Sequence, residues 1–170
     1  MASAKEYYQN NTEQVKSARR NYYENNKKTI YPKALAYSKK HREENPEMYR
    51  MYYIKYRARK RSLPDTLTSE ETEGIVEYFR GECSVCRGAF EHLDHFIPLS
   101  SGYGGTTLEN IVPMCGSCNK SKGAKNPFEW SKTLTQKDRE RFDSLVEYLT
   151  ELNGIAAVED YEAHVYQCFN

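Results

Sequence analysis

Two Cys-x-x-Cys pairs, Cys83/Cys86 and Cys115/Cys118, constrain this 170-residue chain more than any other feature. Each such turn presents two sulfurs from one tight loop. Two turns therefore supply the four soft ligands of a tetrahedral zinc site without help from elsewhere in the chain. Disulfides would need an oxidising compartment, and a thioredoxin-like redox pair would use one Cys-x-x-Cys near a βαβ pattern, so structural Zn2+ is the expected occupant. The fifth cysteine, Cys168, stands at helical spacing from Tyr161 and Val165 and is expected to be a buried small hydrophobe.

The 28 residues between the pairs (87–114) carry most of the remaining chemistry. The apolar stretch around Leu93-Asp94-His95-Phe96-Ile97 and the stretch Ile111-Val112-Pro113-Met114 read as two short strands flanking a glycine-rich loop. Asn119-Lys120-Ser121-Lys122, directly after the second pair, reads as a short helix that Gly123 ends. The order is strand, loop, strand, helix.

In those parts and that order, residues 80 to 127 resemble the HNH endonuclease family, with Asp94-His95 at the end of the first strand, Asn110 at the second strand and Asn119 on the helix. The third signature position is Asn here rather than His, a variant the family uses. The resemblance implies a ββα-metal fold and a metal-dependent phosphodiester hydrolase that leaves a 3′-hydroxyl and a 5′-phosphate. It implies His95 as general base, and a neutral imidazole with a pKa near ~6.5 accepts a proton at physiological pH. Asp94 and Asn119 offer oxygen ligands that suit a hard cation such as Mg2+ or Mn2+. Asn110 reads as a clamp on the backbone of the glycine-rich loop, and Lys122 stands where a phosphate contact is expected. Adjacent residues on a regular strand point to opposite faces, so Asp94 and His95 can serve one site only if the strand ends or twists there. Pro98 and the glycines that follow are suited to that. His92, two residues before Asp94, reads equally as a phosphate or metal neighbour and as a solvated histidine.

Charge separates the chain into unlike halves. Residues 1–62 hold 16 Lys or Arg against 6 Asp or Glu, and residues 63–170 hold 9 against 18. The basic half also repeats: Tyr7-Tyr8, Tyr22-Tyr23, Tyr37 and Tyr52-Tyr53 recur every 15 residues. Fifteen residues is about four helical turns, so these tyrosines return to nearly one face. Asn45-Pro46-Glu47 reads as a helix start and Pro32 marks a break or kink before it, giving short helical segments rather than one rod. A basic, tyrosine-studded helix reads as a DNA-binding arm in which Arg57, Arg59, Lys60 and Arg61 meet phosphates and tyrosines such as Tyr22 and Tyr52 lie along the backbone.

The expected domains are a DNA-binding arm (1–62), a nuclease core with its zinc site (63–127) and C-terminal helices (128–170). The fold class is α+β and predominantly α. Thr68-x-x-Glu71 is a capping box opening a helix to about Arg80, expected to pack against the zinc site. Asn126-Pro127 starts a short helix, and further helices run from about Gln136 to Leu152 and Val158 to Phe169. No run approaches ~18 consecutive apolar residues. The expected setting is therefore a reducing cytoplasm, or the nucleoid of a host cell if the chain is phage-encoded. The expected partner is double-stranded DNA, with the protein a monomer or weak dimer. The function expected is a DNA endonuclease, nicking or cutting both strands, of the homing type. The competing reading is a catalytically silent zinc module that binds DNA as a regulator or packaging accessory.

Overall fold

The protein is described from a computed structural model covering residues 11–169, and the chain divides into two compact units, 1–49 and 50–170. The Tyr7-Tyr8 member of the repeat lies outside the described residues. In the first unit, helix α1 (Thr12–Glu44) runs for 33 residues with Pro32 inside it and no buried side chain. Of the break or kink expected at Pro32, the break does not occur, because one helix runs through it. Proline removes one hydrogen bond and crowds the preceding turn, but Lys33-Ala34-Leu35-Ala36 after it are strong helix formers that carry the helix on. Lys-Glu pairs such as Lys27–Glu24 at 2.7 Å add a few tenths of a kcal/mol each, roughly. The chain breaks instead at Asn45, whose backbone N–H and side-chain amide both donate to His41 O. Pro46 then opens helix α2 (Pro46–Arg59), the position where a missing N–H costs nothing.

The second unit takes in the residues of α2 from Arg50 onward, so its start lies well before the arm boundary expected at residue 62. At its centre is a hairpin of β1 (His92–His95) and β2 (Ile111–Met114), antiparallel, with Asp94 opposite Val112 and His95 opposite Ile111. Two four-residue strands bury too little to persist alone. Helices cover them on both sides. Ile54 of α2, Leu67, and Ile75 of α3 (Ser69–Tyr78) pack with Leu93 and Ile111. Thr68 caps α3 through the full reciprocal box with Glu71. The expectation that α3 leans on the cysteine cluster is corrected by this packing, because Ile75 faces Leu67 and Ile54, and only Phe79, after the helix, touches both cores.

On the other side, Val112 and Met114 join Cys83, Cys115 and the apolar faces of four helices: α4 (Gly116–Lys122), α5 (Pro127–Ser131), α6 (Gln136–Leu152) and α7 (Val158–Gln167). Phe142, Leu145, Val146 and Leu149 form the buried stripe of α6, as their spacing requires. Residues 128–170 thus share one core with the cysteine turns. Trp130 is 1 % exposed and donates its indole N–H to Ser121 Oγ on α4 at 3.0 Å. Cys168 is buried, as expected. Gly123 ends α4 at φ 52°.

Candidate active site and metal centre

The two cysteine turns converge. Cys83, Cys86, Cys115 and Cys118 bring their sulfurs within 4.8 Å of one another, and all four are free thiols. Cys86 Sγ and Cys115 Sγ stand 3.6 Å apart, far beyond a disulfide and close to the edge of about 3.8 Å that a tetrahedron with ~2.3 Å Zn–S bonds demands. Burial pushes the Cys86 and Cys118 thiols up, so holding four sulfurs this close as thiolates calls for a cation among them. Backbone N–H groups of Gly88 and Cys118 point at Cys86 and Cys115 sulfur, and Arg141 on α6 donates to Cys86 O at 2.9 Å. The set fits Zn2+ as a structural ion.

Beside this centre lies a cleft of about 400 Å³ whose lining includes Asp94, His95 and Asn119 together with Arg50, Arg57 and Arg61. The three residues singled out from the sequence are therefore brought to one place. β1 ends at His95, and the chain bends through Phe96 and Ile97 into Pro98 and a 3-10 turn (Leu99–Ser101), which relieves the conflict between neighbouring strand positions. Asn119 reaches the cleft from the middle of α4.

His95 is 4 % exposed and its Nε2 lies 2.8 Å from Thr106 Oγ1. That hydroxyl also stands 3.1 Å from the carbonyl oxygen of Ile54 on α2. A carbonyl only accepts, so the hydroxyl proton goes to Ile54 and the hydroxyl oxygen accepts from His95 Nε2–H. The imidazole is thereby held in one tautomer with its Nδ1 lone pair unprotonated. Burial, reinforced by the positive charges of Arg57, Lys122 and Arg61, lowers the imidazole pKa to about 3, so the ring is neutral across the physiological range.

Asn110 is the clamp its position suggests: 2 % exposed, it accepts from Ile97 N–H at 2.7 Å and donates to Ile97 O at 3.0 Å and Gly105 O at 2.9 Å. The loop fits around it because Gly104, at φ 75°, leaves no room for a Cβ against the Asn110 amide. Lys122 lies elsewhere than a phosphate contact requires. It is 1 % exposed, and its ammonium donates to His95 O at 2.9 Å and stands 2.7 Å from Asp94 Oδ2. Its long stem makes it a strut between α4 and the end of β1. Asp94 Oδ2 is buried and, despite that ion pair, has no well-aligned hydrogen-bond donor. Asp94 and Asn119 both line the cleft, and a carboxylate with a carboxamide oxygen is a donor set that a hard divalent cation takes. His92 lines the cleft as well and is half exposed, 4.0 Å from Glu91.

The sequence reading missed Thr106, Arg50 and Tyr53. Arg50, Tyr53, Arg57 and Arg61 line the cleft at helical spacing, with Ile54 and Ala58 buried beneath them. That stripe was available as a signal in the sequence. Arg59, Lys60 and Tyr52, expected at phosphates, do not line the cleft. Arg59 pairs with Asp65 at 2.8 Å and stacks near Tyr52, which is 60 % exposed. Tyr22 is 65 % exposed on α1 in the first unit. Among the described residues, no helix is long and apolar enough to cross a membrane.

Residues 83–125 match the HNH endonuclease family, a segment containing both cysteine pairs, Asp94, His95, Asn110 and Asn119. No curated protein and no solved structure matches the chain.

Proposed function

We propose that the HNH segment of this chain is the catalytic centre of a metal-dependent DNA endonuclease of the homing type, hydrolysing phosphodiester bonds in double-stranded DNA. The observation that carries the proposal is the cleft in which Asp94, His95 and Asn119 meet under a wall of three arginines. A pure DNA-binding module has no need of Asp94, His95 and Asn119 together in one cleft. The homing assignment rests on the basic, tyrosine-rich arm that precedes the centre.

His95 Nδ1 takes the proton of the attacking water, and the Thr106 hydroxyl steadies the positive charge that develops on the ring. Arg50, Arg57 and Arg61 draw the scissile phosphate in and offset charge on its oxygens. Asp94 and Asn119 are the residues that would hold Mg2+ or Mn2+, and the ion would supply Lewis-acid stabilisation of the phosphate and of the departing 3′-oxygen. Asn110 keeps Ile97 and the loop in register, so that His95 does not swing away.

Incubating supercoiled plasmid with the protein and Mg2+, with and without chelator, tests the proposal. Nicked or linear DNA is expected with the metal, and with no ascending pH limb near ~6.5, because the base is already deprotonated there. His95→Ala is expected to bind DNA and fold normally yet leave the plasmid intact. Full-rate cutting by that variant removes His95 from the mechanism. Plasmid left supercoiled under all conditions, including a random-target library, leaves only a binding role.

A further inference from the structure

Outside the catalytic cleft, a second cleft of about 420 Å³ opens between the end of α3, the first cysteine turn and α6. Arg80, Arg87 and Arg141 line it, which is three of the four arginines in residues 63–170, a stretch where acidic residues outnumber basic ones two to one. Among the described residues the side chains of Arg80 and Arg87 have no hydrogen-bond or ion-pair partner. Both occupy left-handed backbone, at φ 56° and 58°, where a glycine would sit with about 1 kcal/mol less strain. Arginine stands at both positions, and both side chains line the same cleft.

Ser84 is 7 % exposed, lines the same cleft, and its hydroxyl is buried with no partner. A buried hydroxyl without a partner costs about 1–3 kcal/mol and marks a place where a ligand atom completes the bonding. Arg141 is already oriented by its bond to Cys86 O and its contact with Asp138. Glu82 also lines the cleft and Asp138 offsets Arg141, so among the described residues Arg80 and Arg87 are the cationic side chains without a partner there.

We propose that this cleft is an anion subsite that seats one phosphodiester of a DNA backbone away from the reacting phosphate. The inference rests on the DNA-acting reading given above. Forked guanidinium donors from three separate elements, with one hydroxyl, match the oxygens of a phosphate. They surround it from side chains at an open rim rather than from an enclosing nest of backbone N–H groups, which suits a phosphate held in a polymer. On a unit whose net charge otherwise repels DNA, such a local focus of positive charge permits the backbone to come close.

The test measures affinity of a labelled DNA duplex by fluorescence anisotropy over a salt series, on the full chain carrying His95→Ala so that cutting does not interfere. Replacing both Arg80 and Arg87 by Gln is expected to weaken binding roughly tenfold and to flatten the salt dependence by about two counterions, with zinc content unchanged. Replacing Lys132 and Lys137 by Gln, the same loss of charge away from the cleft, is expected to change the slope far less. Ser84→Ala is expected to weaken binding without loss of thermal stability, an effect a merely structural serine would not produce. Equal losses in the arginine and lysine pairs overturn the subsite, as do unchanged affinity and slope in the arginine pair. A shift of Arg80 and Arg87 side-chain NMR signals with inorganic phosphate but not with duplex also overturns it, in favour of a free anion. Failure of the wild type to cut plasmid while the arginine pair still loses affinity would sink the nuclease reading and leave the subsite standing.

Discussion

At the scale of single residues, Thr106 decides what His95 is able to do. Its hydroxyl has one proton, and Ile54 O takes it, so the imidazole N–H is fixed on Nε2 and the lone pair on Nδ1. Thr106→Val keeps the shape and removes the acceptor, leaving a buried N–H unpaired. The expected result is a loss of about 1–3 kcal/mol in stability by denaturant titration and roughly a 10–100-fold loss in cleavage rate. Thr106→Ser is expected to restore both, and a valine variant that cuts at the normal rate would show that the relay is decorative. His95, Asp94 and Asn119 were legible because the chemistry of a short motif is written in consecutive residues. Thr106 was not, because its meaning comes from a carbonyl 52 positions away, and sequence spacing carries no trace of such a contact.

At the scale of elements, α2 performs two tasks that composition alone presents as one. Its charges and tyrosines marked it as a DNA arm, yet Ile54 packs with Leu67, Leu93 and Ile111, and Ala58 is fully buried. The same helix that walls the cleft with Arg50 and Arg57, and leads into the turn bearing Arg61, is a structural wall of the hairpin. Ile54→Ala is expected to cost about 2–4 kcal/mol and to lower cleavage by loosening the backbone that Thr106 leans on. Tyr52→Ala, on the exposed side, should stay within about 0.5 kcal/mol of wild type. Equal midpoints for the two variants in urea would contradict this division of faces. Capping and termination signals were read correctly, since Thr68, Glu71, Pro46 and Gly123 act through bonds to near neighbours. Pro32 misled because a proline's local penalty was set against a long run of strong helix formers, and the run won.

At the scale of the whole molecule, the cysteine centre is part of the main core rather than an appendage. Cys83 and Cys115 pack in one cluster with Phe128, Phe142, Tyr161 and Val165. Withdrawing zinc with a strong chelator is therefore expected to abolish the cooperative unfolding transition of residues 50–170 and the cleavage activity together, while much of the far-ultraviolet helical signal from α1 remains. Calorimetry and circular dichroism on one sample would check this, and an undiminished transition after proven zinc loss would count against it. The C-terminal helices were legible as helices, but that they close the same core as the cysteine turns depends on contacts between distant segments that a pattern of periods does not encode.

The single tryptophan adds a practical consequence. Sealed from solvent and tied by its indole to Ser121, Trp130 reads the seating of the helix that bears Asn119. Its emission is a built-in optical gauge of that helix, sensitive to cation or substrate arrival without any dye attached to the protein.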